Sequence, residues 1–280
     1  MIIDVHTHIF PEEIILNREK FFKGENEFKS IYENSNAKMI TADELIEQMN
    51  ENGIDKSVVF GFPWNNINFA KINNDYIIEA VKKFPNRLIG FSCLNPLSSG
   101  ALYEVERCLN SGLKGVGEIA FYHDDINEKI IKGLEDIMLI CKQHNFPFML
   151  HTNEPVGHEY PGKADMKLKS IYNFIKCYQE NNIILAHLGG GIFFYKIMKK
   201  EVSDVLKNVY YDTAAVPFLY KNQIYAESLK YAGEDKVLFG SDYPLINPKR
   251  YFKDISSELN DTILKDKLIG KNAKKLLLIG

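Results

Sequence analysis

The stretch Ile3-Asp-Val-His-Thr-His-Ile-Phe10 places two imidazoles two residues apart in an otherwise apolar run. Side chains alternate faces along a strand, so Asp4, His6 and His8 are expected on one face. Two imidazoles about 6.5–7 Å apart along a strand can reach one ion from the same side. Imidazole and carboxylate are ligands for zinc, and they also suit manganese, iron and nickel.

Four more polar residues each close a short apolar run. They are Glu118 in KGVGEIAF, His151 in PFMLHTNEP, His187 in IILAHLGGG and Asp242 in VLFGSDYP. Each alone has an ordinary reading: a core histidine, a helix cap, a partner for a lysine. Structural roles would scatter such groups among core, caps and surface. Their shared position at the ends of successive apolar runs points instead to a metal site built from His6, His8, Glu118, His151, His187 and Asp242.

The elements that would carry these residues alternate regularly. Strand-like runs occur at 2–8, 57–62, 88–95, 115–120, 147–151, 183–187, 209–212 and 237–240, mostly as continuous apolar stretches typical of parallel strands covered on both faces. Helical patterns fill the gaps, beginning with a Thr41-x-x-Glu44 capping box that Gly53 closes. Later ones span 68–84, 101–111, 128–144, 166–181, 193–206, 218–231 and 249–278, the last broken near Asp261. The strand spacing of roughly 25–35 residues is that of a βαβ crossover. The expected fold is therefore α/β, a single (β/α)8 TIM barrel over residues 1–280, with active groups at the carboxyl ends of its strands. Residues 10–40 are too long for an ordinary loop and are expected to form a lid or pocket wall.

A formal net charge of −3 offers no footprint for nucleic acid or an anionic membrane, and neither partner is expected. No apolar stretch approaches the ~20 residues of a membrane span, and Asp4, His6 and His8 interrupt any leader-like N-terminus. Cys93, Cys108, Cys141 and Cys177 form no CxxC pair and read as reduced thiols. The expected setting is the cytoplasm, with a small-molecule substrate and a homodimer compatible with the sequence.

The combination of DVHTH, FPNRLIGFSCLNP, HLGG, GSDYP and IGKNAKKLLLI resembles the amidohydrolase superfamily, specifically the compact amidohydrolase 2 group related to aminocarboxymuconate-semialdehyde decarboxylase. The resemblance covers nearly the whole chain. It implies that His6 and His8 bind the first metal, that His151 and His187 bind a second metal or act on the substrate, and that Asp242 touches the first metal and shuttles a proton. GVGEIAF resembles the strand-four glutamate of TatD-like hydrolases, which implies Glu118 as a bridge between two ions.

These features predict a metal-dependent hydrolase in which a metal-activated water attacks an amide, ester or lactone of a small, possibly anionic substrate. Asp242 would be its base and His187 its electrophile or acid. The cofactor is one or two divalent ions, zinc first. One alternative is a non-oxidative decarboxylase of an unsaturated or aromatic acid; another is a metal-binding protein without catalysis. Substrate contacts are expected from Asn153, Glu154, His158 and Lys163 in HTNEPVGHEYPGK, with Lys163 set to meet an anionic group. His123 in FYHDD and Trp64 in FGFPW are further pocket candidates.

Overall fold

In the computed structural model, which describes residues 1–122 and 124–279, eight parallel strands alternate with helices. The strands are β1 (Ile3–His8), β2 (Lys56–Phe60), β3 (Leu88–Gly90), β4 (Val116–Ile119), β5 (Phe148–Leu150), β6 (Ile183–Leu185), β7 (Val209–Asp212) and β8 (Val237–Leu238). β1–β2–β3 form one ladder and β4 through β8 another. Parallel bridges Ser92–Val116 and Thr7–Tyr243 join the two, so the ring closes as a (β/α)8 barrel.

Ile3, Val5, Val58, Phe60, Met149, Ile184 and Leu238 pack together although they come from strands around the ring. Such residues meet only through the barrel interior, which is thus a packed apolar plug beneath the polar strand ends. A larger cluster fills the space between strands and helices, including Val59, Leu88, Val116, Phe148, Ile183 and Val237. At the opposite face, Arg87 fixes the approach to β2 through the carbonyls of Asp55 and Ile54 and the side chain of Asn50.

Local signals act as expected at the first crossover helices. In the segment 10–40, α1 (Glu12–Leu16) is followed by a 3-10 turn (Arg18–Phe21) and α2 (Asn26–Tyr32). The Thr41–Glu44 capping box is complete at the start of α3 (Ala42–Asn52), and Gly53 ends it at φ 66°. α4 (Ile67–Lys83) and α5 (Ala101–Asn110) follow.

Three expected elements differ. The 128–144 pattern is two helices, Glu128–Gly133 and Glu135–His144. The 218–231 helix runs only from Ile224 to Ala232 after a short turn at Val216–Leu219. The 193–206 pattern begins as a 3-10 stretch, His187–Ile197, before a short helix at Lys200–Val205. No described helix is long and apolar enough to cross a membrane, and all four cysteines are free thiols, with Cys177 alone exposed.

A buried polar network ties α5 to the rim. Glu104 accepts from Arg107 at 2.9 Å and from Asn74 at 3.0 Å. Asn74 in turn accepts the Cys93 backbone N–H, and the Cys93 thiol donates to the Glu118 carbonyl. Burial pushes the Glu104 carboxyl up, but Arg107, Asn74 and Cys108 outweigh it and hold it below the usual range. Its stabilisation is present above the ordinary glutamate pKa and fades as pH falls through the depressed value. Glu104→Gln should therefore cost about 2 kcal/mol near neutral pH, less than a fully buried pair because Arg107 is 41% exposed. Urea unfolding at pH 7 and pH 4 should show that deficit shrinking at the lower pH.

Candidate metal centre

His6, at the carboxyl end of β1, is completely buried. Its Nδ1 lies 2.9 Å from Asp212 Oδ2, so the ring donates there and turns Nε2 inward. His8 Nδ1 faces the Gly61 carbonyl at 3.0 Å, and His187 Nδ1 faces the Ala214 carbonyl at 3.0 Å. Each acceptor fixes the tautomer that leaves Nε2 free for a ligand, the usual arrangement behind metal-binding histidines.

The inward atoms converge. Asp242 Oδ1 is 3.6 Å from His6 Nε2 and 3.4 Å from His8 Nε2. Glu118 Oε2 is 3.7 Å from His6 Nε2 and 3.9 Å from His8 Nε2. Its other oxygen, Oε1, lies 3.0 Å from His151 Nδ1 and 3.5 Å from His187 Nε2. Ligands bound at 2.0–2.2 Å in a tetrahedron sit about 3.4 Å apart, close to this spacing. Three groups qualify as ligand sets with donor atoms within 4.8 Å of one another: His6–His8–Glu118, His6–His187–Asp242 and Glu118–His151–His187.

Two further observations fit a cation. His6 Nε2 and His151 Nε2 are buried without a hydrogen-bond partner among the described residues, a costly state unless something else engages them. The electrostatics agree. Burial alone would push His6 down, yet Glu118, Asp212 and Asp242 raise it to about 10. Burial likewise opposes charge on His187, and Glu118 and Asp242 raise it to about 9. Burial pushes the Asp242 carboxyl up, but His8, His6 and His187 bring it down to about 2; Glu118 is likewise driven well below its ordinary value. The pocket thus favours positive charge, which protons or a divalent ion can supply.

Local backbone conformation sets these groups in place. His187, Leu188, Gly189, Gly190 and Gly191 all have left-handed φ values between 53° and 82°. A Cβ on Gly190 would stand 2.4 Å from the Asn153 carbonyl oxygen, so the close approach of the two loops requires glycine. Asp242 is also left-handed, at φ 59°. Asp4 serves this turn rather than the imidazole rings. The β1–β2 register shifts between Asp4 and Thr7, breaking strict alternation. The Asp4 carboxylate accepts from the Ser241 backbone and hydroxyl and from the His6 backbone N–H, joining β1 to the loop that carries Asp242.

The cluster opens on a cavity of about 680 Å³, lined by His8, Glu118, His151, His187 and Asp242 together with Tyr32, Phe62, Tyr122, His158, Tyr160 and Phe218. Phe62 and Tyr122 are stacked, with ring centres 6.2 Å apart. Several expected substrate contacts do not face this cavity. Trp64 is fully buried behind Phe62, donating to Asn73 and packing on Phe28, because the aromatic side chains of 10–40 cover it. Asn153 is buried and holds its own loop through Ala164 N–H and the Glu154 carbonyl. Glu154 accepts from Tyr160 and pairs with Lys163, supporting the wall from behind. Lys163 is neutralised by Glu154 at 3.3 Å and Glu159 at 3.7 Å, with a side chain only 7% exposed, so it is not a free anion receptor. His158 lines the cavity; His123 lies outside the described residues.

Sequence reasoning gave Asp212 no role. It holds the His6 ring, and its Oδ1 accepts the backbone N–H of His187 and Ala214. Its signal was available: a carboxylate closing the short run Val209–Tyr211, as Asp242 follows the run at 237–240.

Comparison with known proteins agrees with this architecture. A family model described as Amidohydrolase matches residues 3–279. The 2-amino-3-carboxymuconate-6-semialdehyde decarboxylase of Dictyostelium discoideum is 25% identical, over 98% of this chain and 91% of that protein. Among solved structures, 5-carboxyvanillate decarboxylase from Sphingomonas paucimobilis superposes with a TM-score of 0.78 at 15% identity, covering 100% of this chain and 99% of that one. A dihydroxybenzoic acid decarboxylase from Polaromonas sp. JS666, solved with manganese and 2-nitroresorcinol, gives 0.72 at 18% identity, covering 99% and 96%.

Asp212→Asn should leave the fold intact but weaken divalent-ion binding about 10–100-fold, because His6 loses the acceptor that sets its tautomer. Chelator competition with manganese or zinc would measure this; unchanged affinity would remove Asp212 from the centre.

Proposed function

The chain belongs to the amidohydrolase family, and on that footing we propose that it is a metal-dependent, non-oxidative decarboxylase of a small unsaturated or aromatic carboxylic acid. The hydrolase that the sequence puts first finds no support among these relatives, whose names favour the alternative. The observation that carries the reading is the floor and wall of one cavity. Imidazoles and carboxylates fit for a divalent ion lie beside the stacked Phe62–Tyr122 pair, a surface suited to a planar acid.

His6, His8 and Asp242, with Glu118 beside them, would hold the ion, and their mixed nitrogen and oxygen donors suit manganese as well as zinc. When bound, a divalent ion supplies positive charge that holds the acid's oxygens and offsets negative charge developing during bond cleavage.

In the reaction the carbon–carbon bond to the carboxylate breaks, its electron pair stays on the substrate carbon, and that carbon takes a proton as CO2 leaves. His187 is placed to give this proton. Its Nδ1–H is committed to the Ala214 carbonyl, and its Nε2 faces the cluster and the cavity, so a proton carried there points toward a bound acid. Asp242 stays ionised and faces Nε2 of His8 and His6, where its charge would help hold the ion. Phe62, Tyr122 and Phe218 displace water from the faces of the substrate.

One observation favours a second reading. Glu118 turns one oxygen toward His6 and His8 and the other toward His151 and His187, as a carboxylate between two ions would. That arrangement suits hydrolysis of an amide, ester or lactone, with Asp242 accepting a proton from water.

Metal analysis and a substrate panel separate the two. The decarboxylase reading expects one ion per chain in both wild type and Glu118→Gln, and CO2 release from an aromatic or unsaturated acid. It also expects His187→Asn to lower kcat about 10²–10⁴-fold with the ion retained. Two ions falling to one in Glu118→Gln, with hydrolysis and no CO2, would establish the second reading instead.

A further inference from the structure

Ile31, Tyr32, Asn36, Ala37 and Lys38 are the part of the 10–40 segment that reaches the cavity. One side chain holds this strap from behind. Arg18 directs Nη1 to the carbonyls of Tyr32, Asn34 and Ala37 at 3.2, 3.3 and 3.2 Å. These carbonyls lie at and beyond the end of α2, where helical partners run out and a cation meets the negative end of the helix. Glu25 anchors the same segment at the start of α2, accepting the backbone N–H groups of Asn65 and Asn66 at 3.0 and 2.7 Å.

The strap sets Tyr32 with unusual care. Its ring packs against Phe10, Phe28 and Phe62, and the residue is 8% exposed. Its hydroxyl makes no hydrogen bond among the described residues, yet it is not among the sealed, orphaned atoms; it opens on the cavity. Two neighbouring phenols are committed elsewhere, Tyr160 to Glu154 and Tyr220 to the His187 carbonyl, while Tyr122 lines the opposite side of Phe62 with its ring stacked there. Burial and the nearby Asp242 and Glu118 charges keep the proton on Tyr32, so it can act as a donor. The ion-binding groups of the floor are carboxylates and imidazoles turned toward one another, so a neutral donor to a bound acid has to come from the wall.

We propose that Tyr32 is a substrate-contacting residue whose hydroxyl donates to an anionic oxygen of the bound acid, and that Arg18 is the positioning residue that holds it there. The proposal rests on the reading of the cavity as an acid-binding site. It explains why the segment is fastened at two points and delivers a hydroxyl to the cavity that Asp242 also lines.

The test is titration of the manganese-loaded full chain with 2-nitroresorcinol, followed by the absorbance of its nitrophenol chromophore. Tyr32→Phe keeps the ring packing. It should retain manganese and its unfolding temperature while binding the probe about 10–100-fold more weakly, the loss expected of a hydrogen bond to a charged acceptor. Arg18→Gln should weaken binding too, and the double variant should be no weaker than Tyr32→Phe, because Arg18 acts only through Tyr32. Equal affinity of wild type and Tyr32→Phe would overturn the proposal while leaving the decarboxylase reading standing. Loss of manganese from Tyr32→Phe would also overturn it, by placing the residue with the ion. Failure of the wild type to bind the probe would overturn both.

Discussion

Glu118 and Asp212 are buried among imidazoles, with Asp242 completing the group, in a place where an unpaired carboxylate costs several kcal/mol. Most of the rim is organised around that constraint. Asp212 is satisfied by the His6 ring and by two backbone N–H groups at the start of the glycine turn. Glu118 and Asp242 have no comparable set of backbone donors; their partners are imidazoles. The carboxylates therefore lift His6 and His187 well above an ordinary imidazole. The barrel supplies the geometry, since parallel strands bring residues more than two hundred positions apart in sequence to one end.

Alternation of apolar runs with helical patterns was enough to specify eight strands, because a strand covered on both faces leaves a continuous apolar signature. Their polar last residues marked the site for the same reason: His6, His8, Glu118, His151, His187 and Asp242 interrupt that signature where the strands stop. Asp212 gave the same signal but was masked by the tyrosines before it, which read as ordinary strand. Helix starts near 193 and 218 were misplaced because left-handed residues at 187–191 and at Ala215 consume chain before any helix can begin. Three side chains of HTNEPVGHEYPGK looked free in sequence. In space Asn153, Glu154 and Lys163 satisfy one another and their own loop, and no local pattern distinguishes a loop that closes on itself from one that reaches a ligand.

Part of the pocket wall, at Ile31, Tyr32 and residues 36–38, comes from the segment between β1 and α3, which sequence placed over the site without resolving its helices. Its aromatic side chains bury Trp64 and so make Phe62, rather than the tryptophan, the surface that meets the cavity. The family and its fold follow from the whole chain, while the chemistry depends on a few side chains on that scaffold. The aromatic wall and the imidazole–carboxylate cluster that line one cavity are what the proposed removal of CO2 from a planar acid would use.

The central claim is that this buried negative charge is built to be balanced by a divalent ion. The direct measurement is calorimetric titration of manganese into metal-free protein near neutral pH, in buffers of different ionisation enthalpy. Because His6 is held at about 10 without an ion, its ligation should expel about one proton per ion bound. Stoichiometric binding with no proton release, or no binding at all, would contradict the account.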